Sequence, residues 1–131
     1  CTPGRLETTH PTVTGGEAID LSIKLARGST GRSEILYADH GYHGCTGFAL
    51  SMMARGPMRD FAEPLVPDFT EIRYGDAADL AARISSRTAA VVLEAVRSDY
   101  DGCRPPDGYF DEVRRLCDQH GAKLIVDEVV C

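Results

Sequence analysis

The sequence predicts an α/β domain, a mostly parallel sheet flanked by helices. Three observations predict it. The period of the apolar residues switches repeatedly between helix-like and strand-like. The strand candidates include Thr88 to Leu93, apolar from Ala89 on, the kind of run that a parallel sheet buries on both faces. The changes of period are punctuated by glycine, proline and capping residues.

Taken in order, Thr9 to Val13 reads as a weak first strand, interrupted by Pro11. Thr14-Gly15-Gly16 reads as a tight turn. Glu17 to Arg27 reads as a helix with Ile19, Ile23 and Ala26 on one face, stopped by Gly28. Ser33 to Tyr37 is a strand, and Asp39 to Gly44 a polar turn. Cys45 to Ala54 is a second helix, stopped by Gly56-Pro57. Residues 57–69, with three prolines, read as a connection. Thr70 to Arg73 is a short strand. Ala77 to Ile84 is a helix opened by Asp76 as N-cap. Thr88 to Leu93 is a buried strand, and Arg97 to Pro106 a loop. Asp107 to His120 is a helix with Phe110, Val113 and Cys117 inward and Gly121 as its stop. Lys123 to Val126 is the last strand.

The 131 residues suit one domain, and 43% hydrophobic residues suffice for a core. A net charge of −6 without a basic stripe disfavours nucleic acid as a partner. No apolar run approaches the roughly 20 residues of a membrane span, and Cys1 to Arg5 shows no signal-peptide pattern. The five cysteines (Cys1, Cys45, Cys103, Cys117, Cys131) have no metal-site spacing and read as reduced thiols of a cytosolic protein. Cys45 lies two residues after His43, yet reads as a small apolar residue opening a helix rather than as a nucleophile. The final run, Leu124 to Cys131, leaves a strand without a turn or cap, so the sequence reads as a fragment.

In an open parallel sheet, ligands bind beyond the carboxyl ends of the strands. Those ends carry Thr14-Gly15-Gly16, Asp39 to Gly44, Glu94 and Asp127-Glu128. The glycine turn at 14–16 is either an anion site, with backbone N–H groups and a helix dipole facing a phosphate, or a plainly capped helix start. It lacks the glycine fingerprint of a dinucleotide fold, and no phosphate loop of the Walker type is present. Tyr42 either stacks on a flat ligand or closes over the core. His43 is either a base or, more simply, a packed side chain. Asp127 either caps a helix or faces solvent, or it pairs with a positively charged ring nitrogen. A metal reading of Asp127-Glu128 lacks further ligands.

At these residues the chain resembles the class III aminotransferases, the ornithine, 4-aminobutyrate and glutamate-semialdehyde aminomutase group of fold type I pyridoxal-phosphate (PLP) enzymes. The resemblance runs in order through Thr14-Gly15-Gly16-Glu17-Ala18, Lys24 to Arg27, Thr30-Gly31-Arg32, Tyr42-His43-Gly44 and Val91-Val92-Leu93-Glu94. It continues through Pro105 to Tyr109, Arg115-Leu116-Cys117 and His120-Gly121-Ala122, and closes with Ile125 to Val129. It implies that the chain is part of a PLP-binding large domain, truncated before the Schiff-base lysine. It also implies that Gly15 and Gly16, with Thr14 close by, hold the PLP phosphate. Tyr42 and Val129 would pack on the two faces of the ring, with His43 beside Tyr42. Asp127 would pair with the ring nitrogen, and Glu94 would sit near the cofactor oxygen and the substrate.

The implied reaction moves an amino group between an amino acid or amine and a keto acid or aldehyde, in a cytoplasmic homodimer. An aminomutase using the same pocket and a non-catalytic α/β binding domain are the alternatives. Three departures stand out. Glu94-Ala95-Val96-Arg97-Ser98 replaces the usual Glu-Pro-Val-Gln-Gly, and loss of the proline is expected to free that loop. Arg97 brings a charge for a substrate carboxylate or a surface salt bridge. Val13 stands where asparagine is usual, and Val130-Cys131 where the family commonly reads Gln-Thr-Gly. Lys24 and Lys123 are the only lysines, and neither occupies the position of the Schiff-base lysine. The chain alone is therefore expected not to transaminate.

Overall fold

A computed structural model describes residues 6–97 and 102–130. The sequence readings made on residues 1–5, on Ser98 and on Cys131 fall outside these, as does the middle of the 97–106 loop.

The described residues form four parallel strands with helices on both faces. In chain order these are α1 (Gly15–Thr30), β1 (Glu34–Ala38), α2 (Gly47–Ser51), α3 (Pro57–Asp60), β2 (Phe69–Ile72), α4 (Ala77–Arg83), β3 (Thr88–Glu94), α5 (Tyr109–His120) and β4 (Lys123–Asp127). The spatial order is β2-β1-β3-β4. All three pairings are parallel, with Leu36 beside Thr70 and Val91, and Glu94 beside Asp127.

The chain steps outward from β1 to β2, then crosses back to β3. Right-handed crossovers in opposite directions must cover opposite faces. On one face α1 and α2 pack against Ile35, Tyr37, Ala90 and Val92. On the other, α4 and α5 pack against Leu36, Ala38, Val91 and Leu93. Alternate residues of β1 and β3 thus enter different cores, and every residue of β3 is buried.

Several local readings change. Thr9 to Val13 forms no strand: Pro11 has no N–H to give to a ladder, and Val13 is 91% exposed. Gly15 and Gly16 are the first turn of α1 rather than a separate turn, with Thr14 as N-cap accepting the Glu17 amide. Gly28 does not stop that helix. It continues to Thr30, and Gly31, at φ 69°, ends it by donating its N–H to the Arg27 carbonyl. An added Cβ at Gly28 meets nothing within 4 Å, and its φ is not positive. Gly28→Ala should therefore raise stability by about 0.5–1 kcal/mol, because the unfolded chain loses freedom that the helix does not use. A denaturant midpoint that falls instead would show that the helix is strained there.

The second helix is shorter than the 45–54 expected from sequence. Asp20 of α1 accepts the Ala49 amide at 3.0 Å, which ties down the start of α2, and Thr46 stays extended before it as N-cap. The proline-rich connection carries one helical turn, α3, with Pro57 at its first position. Asp76 caps α4 as expected, accepting the Asp79 amide.

Candidate functional site

The order β2-β1-β3-β4 reverses direction between β1 and β3, the place where an open α/β sheet leaves a crevice at its carboxyl edge. The segments leaving β1 and β4 meet the start of α1 there. They enclose a cleft of about 390 Å³ whose walls bring together Thr14, Gly15, Gly16, Tyr42, His43, Asp127 and Val129. The glycine turn and the acidic strand end, 112 positions apart in sequence (127 − 15), share this single opening.

The floor beside α1 is made of close backbone contacts. Gly44 lies at φ 105°, and a Cβ there would come within 2.7 Å of the Gly16 Cα. A Cβ on Gly16 would meet Thr46 Oγ1 at 3.0 Å, and one on Gly15 would meet Val129 Cγ2 at 3.2 Å. Small residues are therefore required on both approaching segments. The amides of Gly15 and Gly16, in the first helical turn, have no carbonyl in their own helix to bond. With the positive end of the α1 dipole they form a site for an anion such as phosphate.

Opposite chemistry lies at the end of β4. Asp127 is 8% exposed. Its Oδ2 lies 2.8 Å from Nδ1 of the buried His43, and its Oδ1 accepts the Val129 amide at 3.0 Å. Burial by itself pushes this carboxyl up, but the His43 and Val129 contacts outweigh it and hold Asp127 below its ordinary range. An ionised Asp127 needs the His43 proton on Nδ1, so the ring donates and the carboxylate accepts. Because the folded value lies below the unfolded one, Asp127 favours the fold above the ordinary carboxylate range. That contribution is lost as pH falls through the lowered value. Each oxygen keeps a lone pair for a further donor.

His43 is a packed side chain, 3% exposed, and its ring holds a hydrogen bond to Asp127. Its Nε2 is buried with no hydrogen-bond partner among the described residues. Tyr42 stands at the rim, 36% exposed. Glu94 does not reach the cleft wall. Its buried carboxylate lies one layer behind, where Oε2 accepts the Tyr42 amide at 3.1 Å.

Several contacts at or near the cleft were not foreseen. Cys45 precedes α2 rather than opening it and is an exposed thiol on the cleft lip, with Sγ 3.5 Å from Tyr42 Oη. Thr46 and Val130 line the cleft as well. Tyr74 donates its hydroxyl to the carbonyls of Glu94 and Ala95 at 3.1 and 3.3 Å, and burial pushes its phenol up to about 12, so it remains a donor at neutral pH. Ala95 uses the N–H that proline would lack to bond the Asp127 carbonyl at 3.0 Å. The signal for the Tyr74 contacts is weak, because they join residues 20 and 21 positions apart, outside any helical or strand repeat.

A family model for aminotransferase class-III matches residues 1–131. An uncharacterized aminotransferase of Archaeoglobus fulgidus is 45% identical over 97% of this chain and 30% of its own length. The acetylornithine aminotransferase of Methanopyrus kandleri is 43% identical over 88% of this chain and 30% of its own. Among solved structures, the ornithine aminotransferase of Toxoplasma gondii, with PLP at partial occupancy in its active site, superposes with a TM-score of 0.83. It is 24% identical, over 88% of this chain and 29% of that one, a likeness of fold. The chain spans about 30% of the length of the curated relatives it matches.

Proposed function

Since the chain belongs to the class-III aminotransferase family, we propose that the protein carrying it is a PLP-dependent aminotransferase, exchanging an amino group between an amino acid or amine and a keto acid or aldehyde. One observation carries the reading. The helix-start anion site at Gly15-Gly16 and the ionised Asp127 open onto the same cleft, so a single ligand bearing a phosphate and a basic ring nitrogen can meet both.

The residues present fit that cofactor. Gly15 and Gly16 offer first-turn amides and no Cβ bulk to a phosphate, with Thr14 beside them as N-cap. Tyr42 and Val129 supply an aromatic and a branched apolar wall for a flat ring. Asp127 holds a proton on the ring nitrogen, and His43 and the Val129 amide hold Asp127 ionised and oriented. Glu94, behind Tyr42, positions that wall by accepting the Tyr42 amide. When bound, PLP supplies the electron-withdrawing ring that weakens bonds at the substrate's amine-bearing carbon.

Neither lysine of the chain suits the anchoring role. Lys123 opens β4, at the opposite end from Asp127, about 13 Å away at strand rise. Lys24 lies nine residues along α1 from Gly15, again about 13 Å at helical rise. We therefore assign the anchoring lysine to sequence outside these 131 residues. The test is to load the full-length protein with PLP, reduce it with borohydride and map the labelled peptide. A single stoichiometric label outside residues 1–131 is expected. A stoichiometric label on Lys24 or Lys123, or failure to take up PLP, would defeat the reading.

The proposal extends to a cytoplasmic homodimer with a small-molecule amino donor and acceptor. No helix of the described residues is long and apolar enough to cross a membrane. The exposed Val129 and Val130 on the cleft, and Val13 beside it, suit a surface covered by a partner.

A further inference from the structure

The segment after β3 departs from the family pattern at Ala95 and Arg97, and here it is linked to the segments that follow β1 and β2. Arg97 reaches across the carboxyl edge of the sheet. Its side chain is 14% exposed, with Nη1 3.9 Å from Asp39 Oδ1 and its guanidinium 5.5 Å from the centre of the Tyr74 ring. Asp39 Oδ1 also accepts the Tyr74 amide at 2.9 Å. Tyr74 in turn donates to the Glu94 and Ala95 carbonyls, and Glu94 accepts the Tyr42 amide. The Arg97 amide donates to the Cys103 carbonyl at 3.0 Å.

We infer that Arg97 is a positioning residue: with Asp39 and Tyr74 it braces the ends of β1, β2 and β3 and so fixes the Glu94 carboxylate behind Tyr42. The geometry has a direct consequence. A planar guanidinium meets a ring face and a carboxylate at once, whereas an ammonium meets only one of them well. Asp39, sharing one oxygen between Arg97 and the Tyr74 amide, joins the segment after β1 to the segment after β2. The Tyr74 hydroxyl joins that segment to the end of β3. The aromatic wall of the cleft is thereby held by a circuit that contains no cleft-lining cation. Arg97 leaves the substrate carboxylate to other groups, since its charge is directed to Asp39 and Tyr74.

What the braced wall is for rests on the functional reading above; the brace itself does not, and the experiment separates the two. In the full-length protein without cofactor, amide exchange at Tyr42 is compared between the native sequence, Arg97→Ala, Asp39→Asn and the double variant. Each single variant should speed Tyr42 exchange about tenfold while the β3 core amides of Ala90 to Leu93 stay unchanged, and the double variant should add little to either, as coupled groups do. Arg97→Lys should recover only part of the protection. With PLP added, the single variants should weaken binding about threefold to tenfold and alter the visible circular dichroism of the bound cofactor. Unchanged Tyr42 exchange overturns the inference, as does an equal rise throughout the sheet, which would make Arg97 a residue of general stability, or full additivity of the two substitutions. Unaltered PLP affinity and dichroism in a variant with fast Tyr42 exchange overturns the positioning role. If the native protein binds no PLP at all, the functional reading fails while the exchange result still judges the brace.

Discussion

Asp127→Asn in the full-length protein should lower kcat by about a hundredfold to a thousandfold, the usual effect of removing one preorganised charge from a reacting centre. Asparagine keeps the size and planarity of the side chain, and its carbonyl oxygen can still accept from His43 or from the Val129 amide. The fold should therefore survive. What disappears is the negative charge that His43 and Val129 hold in place at a site 8% exposed. A neutral amide cannot keep a proton on a pyridine nitrogen, and low local dielectric makes the loss larger than it would be at the surface. The visible absorbance of the bound cofactor should change with the rate. His43→Phe should give the same sign but a smaller loss, about tenfold, because Asp127 stays charged and keeps the Val129 contact. A D127N protein with native kcat would mean that the carboxylate serves only to cap the end of β4.

The second large effect is expected at Gly44. Alanine there is strained twice: a φ of 105° is a conformation that residues with a Cβ rarely adopt, and the new carbon would sit 2.7 Å from the Gly16 Cα and 3.1 Å from the Gly16 N. Both opposing atoms are backbone, so no side chain can swing aside. The strained dihedral and the overpacking together should cost about 2–5 kcal/mol. Much of that should be relieved by pushing the 42–46 segment away from the start of α1. PLP affinity should fall at least tenfold along with the denaturant midpoint, since the displaced segments are the two walls of the anion site. A Gly44→Ala protein of native stability and native PLP affinity would show that the two backbones separate without consequence, and that the cleft is not built on their contact.

Periodicity carried the sheet and most helices: β1, β3, β4 and α5 lie within a residue or two of where apolar spacing puts them, because α5 buries one face and the strands send alternate residues into the two cores. The errors fall where spacing carries no information. Gly28 looks like a stop in isolation, but nothing there needs a left-handed turn, and the helix runs on to Gly31. The first strand fails because Pro11 and an exposed Val13 have no neighbour to pair with. The shortened α2 reflects a carboxylate, Asp20, borrowed from another helix.

The candidate site divides along the same line. Residue type alone marks the helix-start glycines, the aromatic at position 42 and the acidic end of β4, since each chemistry is local to its own segment. That these segments meet in one cleft, that His43 serves Asp127, that Glu94 stands behind Tyr42 and that Arg97 turns toward Asp39 and Tyr74 are consequences of strand order. Pairings across 52 and 84 positions of chain, as between Tyr42 and Glu94 or His43 and Asp127, leave no periodic trace. Only the parallel packing of β1, β3 and β4 brings their carboxyl ends within hydrogen-bonding reach.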